Sequence, residues 1–101
     1  MTRRRVRFTV TARGQIRREK SWWIQNRIHT EVFAAEFEEA VKILAILPGA
    51  GTSYPDADVD GLRRVYLRRI ACHLYYTFDD QEVRVRALWS ARRSHGPFIE
   101  P

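Results

Sequence analysis

The chain has 101 residues and a mass of 11.9 kDa, and 18 basic residues against 12 acidic ones give it a net charge of +6. This length fits one domain over residues 1–101, and the 45% share of hydrophobic residues excludes a disordered tail. A single cysteine excludes a disulfide framework. No apolar run approaches the ~20 residues of a membrane span, so we expect a cytoplasmic protein without a membrane partner.

The first predicted elements are a strand and a helix. Residues 6–10 alternate between apolar and polar side chains, which predicts a half-buried strand. Gly14 marks the entry into the helix, and Trp22 is expected at the rim of the core. The buried face of this helix is predicted from helical spacing to comprise Ala12, Ile16, Trp23 and Ile24.

A second helix follows almost without a linker, so the two helices are expected to form a hairpin. Thr30 is the predicted N-cap, and Glu31 complements the helix dipole in the first turn. Pro48 and Gly49 end the helix. Its apolar stripe comprises Phe33, Phe37, Ala40, Val41, Leu44 and Leu47.

Three further strands are predicted at 62–67, 70–78 and 83–89, with a tight turn at 79–81 and an irregular tail over 90–101. The order β-α-α-β-β-β predicts an α+β fold. In it the helical hairpin packs on one face of a mostly antiparallel, twisted four-stranded sheet.

The strand period of two assigns side chains to the two faces of this sheet. The face toward the helices is predicted to carry Val6, Phe8, Val10, Val65, Leu67, Cys72, Leu74, Tyr76, Phe78, Val83, Val85, Ala87 and Trp89. The opposite face, called the second face below, is predicted to carry Arg5, Arg7, Arg64, Tyr66, Arg68, His73, Tyr75, Arg84 and Arg86.

Charge is unevenly distributed along the sequence. Residues 1–28 sum to +8, residues 29–61 to −6 and residues 62–101 to +4, and sixteen of the eighteen bases are arginine. The second face lacks interspersed acids, so we expect it to bind a nucleic acid or an acidic segment of a partner. Its aromatic residues would stack on bases. The alternative is that the second face is an ordinary solvated surface and that its many arginines reflect an arginine-rich proteome.

Other chemistry is weakly indicated. Cys72 falls at an inward position and is expected to be a core residue. The three histidines lack metal-ligand spacing, and Gly49 and Gly51 lack the lysine of a phosphate-binding loop. We therefore expect no metal and no cofactor.

Several segments together resemble the RelE/ParE toxin superfamily. They are GLRRVYL at 61–67, CHLYYTFDD at 72–80, VRVRALWSARR at 83–93 and the LPGAG break at 47–51. The resemblance implies a toxin of a bacterial type II toxin–antitoxin module, neutralised by a cognate antitoxin in a hetero-oligomer. The form of residues 62–64 and 89–93 resembles the ParE-like branch, which poisons DNA gyrase. The alternative is the RelE-like branch, which cleaves mRNA on the ribosome without metal.

The resemblance also assigns residues. In the RNase alternative His73, Arg92 and Arg64 would be catalytic, whereas Phe98 falls near the family's catalytic tyrosine and cannot transfer a proton. Target or nucleic-acid contacts are expected from Arg64, Tyr66, Arg68, Tyr75, Arg84, Arg86 and Arg93. A non-toxic, nucleic-acid-binding member of the family is a second alternative.

Overall fold

The computed structural model describes residues 2–27 and 29–101. Its elements are β1 (Arg5–Phe8), α1 (Val10–Asn26), α2 (Glu31–Ile46), a short 3-10 helix (Pro48–Ala50), β2 (Thr52–Ser53), β3 (Arg63–Leu67), β4 (Cys72–Phe78) and β5 (Glu82–Ser90). Two helices pack on one face of a mixed sheet, which confirms the predicted α+β class.

The sheet has five strands in the order β1-β5-β4-β3-β2, where four were predicted. β1 pairs with β5 in parallel, and the other neighbours are antiparallel. The additional strand β2 is only Thr52–Ser53, paired with Arg64 and Arg63. Two residues are too short to show an alternating pattern, so the predicted count of four was wrong.

Helix α1 begins earlier than predicted. Thr9 has extended backbone angles, and its hydroxyl accepts the N–H of Ala12 at 3.1 Å, which starts the helix at Val10. Val10 was predicted to be a core residue of the first strand. It is 88% exposed, so this prediction was wrong. Gly14 lies inside the helix, and Ile24, predicted to be buried, is exposed beside the buried Trp23.

Helix α2 differs from prediction at its two ends. Thr30 has helical backbone angles and makes no side-chain capping bond, so the predicted N-cap interaction is absent. The helix ends at Ile46, and Leu47 is exposed beyond its end rather than part of the buried stripe. Phe33 and Leu44 are buried as predicted, because they lie on the face that packs on the sheet.

A register shift between β4 and β5 reverses the predicted faces along half of β5. Tyr76 lies opposite Val85, but Tyr75 lies opposite Ala87, so Arg86 is the extra residue of a β-bulge. Val83 and Val85 face the helices as predicted, but beyond the bulge it is Leu88 that joins this core. Ala87 and Trp89 were predicted there and instead contribute to a cluster on the second face.

This second-face cluster is a small hydrophobic core of its own. It contains Val59, Leu62, Tyr75, Ala87 and Ile99, with Tyr54 and Trp89 packed against it. The loop before β3 and the chain after β5 thus cover part of the face that was predicted to be exposed. Of the predicted irregular tail, 90–101, residue 90 still belongs to β5, residues 91–101 have no helix or strand, and Ile99 is buried in this cluster.

Side-chain hydrogen bonds hold the tail in place. The indole Nε1–H of Trp89 donates to the backbone oxygen of His95 at 2.6 Å, and Arg86 Nη1 donates to the backbone oxygen of Glu100 at 3.3 Å. Thr11 Oγ1 donates to Glu100 Oε1 at 2.5 Å. The tail therefore connects the second face with the first turn of α1.

Candidate functional site on the second face

Antiparallel pairing of β3 with β4 brings Arg64, Tyr66 and His73 together on the second face. Tyr66 lies opposite His73, and their ring centroids are 4.9 Å apart. Arg64 lies opposite Tyr75, and its guanidinium carbon is 4.7 Å from the ring centroid of Tyr54. Tyr66 is 48% exposed, so this group presents an aromatic surface beside a fixed positive charge.

His73 has an electrostatic environment that favours its neutral form. Burial, and secondarily the charge of Arg64, lower its pKa from the ordinary value of 6.5. Among the described residues its Nδ1 is a buried atom without a hydrogen-bond partner. The neutral imidazole is the form that can act as a base, and the lowered pKa makes it a weaker one.

Two residues that were predicted to contact the target, Tyr75 and Arg86, make contacts inside the protein instead. Tyr75 is 2% exposed inside the second-face cluster, so its predicted exposure was wrong. The reason is that the loop before β3 and the tail cover it. Burial is the main cause that raises the pKa of Tyr75. Arg86, at the bulge, donates from Nε to Thr77 Oγ1 at 3.0 Å, and burial lowers its pKa. Their roles in target contact stay predictions.

The two arginines after β5 stack on different aromatic rings, and both contact helix α1. The guanidinium carbon of Arg92 lies 4.3 Å from the ring centroid of Trp22 on α1, which places Arg92 at the helical layer. Arg93 lies 4.0 Å from the ring centroid of Trp89 and forms an ion pair with the buried Glu19, with a 3.7 Å N–O distance. The structure therefore groups Arg64 with His73, and it holds Arg92 on a different surface.

Trp89 was missed as a residue of the second face. Trp89 lies opposite His73 in the β4–β5 ladder, and the guanidinium group of Arg93 stacks on its ring. The bulge moves it there, and an alternating pattern read without a bulge assigns it to the core. Trp22 is half-buried at the core rim as predicted, stacked by Arg92 and by Arg27, whose guanidinium carbon lies 4.8 Å from its ring centroid.

The remaining predicted site residues are accessible. Arg68 is exposed in the turn between β3 and β4, and Arg84 is exposed on β5 with an ion pair to Glu82 at 3.0 Å. Phe98 is 72% exposed. Arg68 and Arg84 thus offer positive charge on either side of the His73 group.

Cys72 is fully buried, and burial raises the pKa of its thiol to about 12. It is therefore a protonated core residue at neutral pH, as predicted from its inward position. Across residues 2–27 and 29–101, no group of three or more potential ligand side chains is arranged to hold a metal ion. Over the same ranges, neither helix has the length and apolar character that a membrane crossing requires.

Comparison with known proteins gives matches in structure. No protein-family model matches the chain, and no curated protein sequence gives a significant match. The chain is similar to a chain of the chromosomal ParDE toxin–antitoxin system of P. aeruginosa, with a TM-score of 0.68 and 17% identity over 88% of this chain and 97% of that one.

Two further solved structures agree. A chain of the RelBE2 toxin–antitoxin complex of Mycobacterium tuberculosis has a TM-score of 0.64 and 25% identity, covering 90% of this chain and 95% of that one. The YoeB dimer of Staphylococcus aureus has a TM-score of 0.57 and 17% identity, covering 87% of this chain and 97% of that one. The predicted resemblance is thereby confirmed, and the chain has the fold of the RelE/ParE toxin superfamily.

Proposed function

We propose that this protein is the toxin of a bacterial type II toxin–antitoxin module and that it inhibits growth by poisoning DNA gyrase in the manner of ParE-like toxins. The similarity in structure to chains of the ParDE and RelBE2 toxin–antitoxin systems supports the general assignment. The ParE-like form of residues 62–64 and 89–93 supports the choice of gyrase as target.

The placement of Arg92 is the observation that carries this choice. Metal-independent RNA cleavage needs a base, an acid and positive charge around one phosphate. Arg92 stacks on Trp22 at the helical layer, whereas His73 lies on the second face. Phe98 offers no proton at the position where the resemblance expects a catalytic tyrosine. This separation supports a binding function over RNA cleavage.

The accessible part of the second face is the surface we assign to the target. Tyr66 supplies an exposed ring, Arg64 and Arg68 supply positive charge on the same strand and in the turn that follows it, and Arg84 adds positive charge on β5. Arg93 stacks on Trp89 at the end of β5, and its charge is paired with Glu19. Such a surface suits an acidic protein segment or a nucleic acid held by the target enzyme.

The first prediction concerns growth and gyrase. Induced expression in bacteria is expected to arrest growth and to induce DNA-damage signalling without codon-phased mRNA cuts. Purified protein is expected to stabilise cleaved DNA in a gyrase assay. The variant Arg64→Gln/Arg68→Gln should weaken this effect by about tenfold or more, since each charged contact contributes roughly 1 kcal/mol.

The matched control is Arg17→Gln/Arg18→Gln, which removes the same charge from an exposed part of α1. It is expected to act like the unmodified protein. Unimpaired growth on expression would contradict the proposal and favour the non-toxic, nucleic-acid-binding alternative.

We propose a cognate antitoxin as the partner in a hetero-oligomer. A groove of about 310 Å³ runs between α2 and β3, and its apolar lining includes Ile43, Leu44 and Val65. Ile43 is 45% exposed there. The apolar side of an amphipathic antitoxin segment fits this groove, whose polar lining includes Glu36, Glu39 and Arg69. Co-purification with a small acidic protein from the neighbouring reading frame tests this partner.

A ribosome-dependent mRNA endonuclease is the second candidate, favoured by one observation. His73 has a lowered pKa beside Arg64 and contacts Tyr66, so a base, a positive charge and a stacking ring are adjacent. In that case His73 and Arg64 would act on the RNA from the positions they have here. Arg92 would reach the site only when the protein is bound to its target.

The second prediction separates the two candidates. If gyrase is the target, His73→Ala is expected to keep toxicity close to that of the unmodified protein, because no proton transfer is involved. If the protein is a nuclease, the same change should reduce mRNA cleavage by about 100-fold or more. His95→Ala is the control, since the His95 side chain is exposed in the tail. Cleavage is measured by mapping mRNA ends in induced cells.

A further inference from the structure

A pocket lined mainly by arginine lies at the β1 edge of the sheet. It has a volume of about 540 Å³ and is formed where β1 leads into α1, with β5 as its other wall. Its lining includes four arginines, Arg5, Arg7, Arg13 and Arg84, and we call it the arginine pocket. Arg5 and Arg7 belong to the predicted second face but are not among the individual residues assigned above to the target, and Arg13 lies on α1.

Charge in the arginine pocket is only partly neutralised. Arg7 and Arg84 are directly opposite each other in the parallel β1–β5 register, an arrangement of like charges that destabilises a sheet. Glu82 pairs with both of them, at 3.4 Å from Arg7 Nε and 3.0 Å from Arg84 Nη2. One carboxylate for four arginines leaves an excess of positive charge, and the first turn of α1 contains no acidic residue.

The positive charge continues along the edge of the sheet. A neighbouring cavity of about 480 Å³ is lined by Arg3, Arg4 and Arg5 with Gln81 and Glu82. β1 is the terminal strand of the sheet, so this side of the protein is open. Alternate residues of a strand are ~6.7 Å apart, which is of the order of the spacing between successive phosphates of one nucleic-acid strand.

We propose that the arginine pocket binds the phosphodiester backbone of a nucleic acid. The planar fork of arginine forms bidentate hydrogen bonds with phosphate oxygens, and phosphate contacts give affinity without sequence preference. An acidic peptide is disfavoured because the lining offers few apolar contacts for its other side chains. Val6 and Phe8 pack against the helices, and Val10 is the exposed apolar residue of the lining.

The third prediction measures the salt dependence of DNA binding. The probe is a fluorescent duplex of about 20 base pairs and mixed sequence, titrated by anisotropy between about 50 and about 200 mM KCl. Four phosphate contacts predict that affinity falls about 150-fold over this range. The triple variant Arg5→Gln/Arg7→Gln/Arg13→Gln is expected to bind more weakly at low salt and to show a log–log slope shallower by about three.

The matched control is Arg17→Gln/Arg18→Gln/Lys20→Gln, which removes three charges from exposed positions of the same helix α1. Its slope is expected to stay close to that of the unmodified protein. Equal losses of DNA affinity and of salt dependence in the two triple variants would overturn the proposal, because they would indicate that binding responds to net charge alone. If thermal melting shows that the first variant is unfolded, Arg13→Gln alone should reduce the slope by about one.

Competition identifies the ligand class. Unlabelled duplex is expected to displace the probe, whereas poly-glutamate at equal charge concentration is expected to compete poorly. If poly-glutamate competes as well as the duplex, the arginine pocket is a site for acidic peptide and the nucleic-acid proposal fails. These measurements use neither gyrase nor cells, so their failure is distinguishable from failure of the proposed toxin activity.

Discussion

Replacement of Gly51 by alanine is expected to lower the free energy of unfolding by about 3 kcal/mol. A Cβ at this position would lie 2.6 Å from Tyr76 Oη and 2.7 Å from the backbone oxygen of Arg64. Neither atom is free to move. Tyr76 is fully buried, and its hydroxyl donates to the backbone oxygen of Pro48 at 2.7 Å and accepts the N–H of Gly51 at 2.9 Å. Urea denaturation followed by circular dichroism measures the change.

Gly49→Ala is the control for this prediction. Nothing lies within 4 Å of a Cβ added at Gly49, although it is only two residues away. We expect the free energy of unfolding to change by less than about 0.5 kcal/mol. If the two alanine variants were equally destabilised, a general intolerance of a side chain in this segment would explain the loss and the close approach to Tyr76 would not.

Replacement of Ile99 by aspartate is expected to lower the free energy of unfolding by about 2–3 kcal/mol, the contribution of burying one large aliphatic side chain. Ile99 is 4% exposed in the second-face cluster, packed with Val59, Leu62, Tyr75 and Ala87. A carboxylate without a partner is not tolerated there, so the tail detaches. Faster amide exchange in β4 and a change in Trp89 fluorescence report the detachment.

The adjacent residue provides the control. Phe98 is 72% exposed, so Phe98→Asp should change the free energy of unfolding by less than about 0.5 kcal/mol. Equal effects of the two aspartates would contradict the packed arrangement of the tail. Comparison of the two variants in the toxicity assay also shows whether a packed tail is needed to bind the target.

Strong periodicity explains what the sequence predicted well. The stripe through Phe33 and Leu44 repeats at helical spacing, and the alternation through Cys72, Leu74 and Tyr76 repeats at strand spacing. Such patterns follow from the geometry of helices and strands and need no knowledge of partners. The α+β class and the grouping of Arg64 with Tyr66 and His73 were therefore accessible from the sequence.

The rest depends on interactions that no local pattern encodes. The bulge at Arg86 is a mismatch between two strands, and it reverses the side to which Ala87, Leu88 and Trp89 point. The burial of Tyr75 arises from contact with the tail, which carries no periodic signal. The same holds for Arg92, which the turn after β5 places on Trp22, and for Arg93, which contacts both Trp89 and Glu19.

The parallel pairing of β1 with β5 has a consequence for synthesis. Thr9 and Arg86, 77 residues apart, are brought into contact at this pair, so β1 stays unpaired until β5 has left the ribosome. Long-range pairing of this kind closes late and slows folding. The arginine pocket, which needs Arg7 from β1 and Arg84 from β5, is consequently assembled only after translation of most of the chain. The nascent chain therefore lacks this surface while it is still being made.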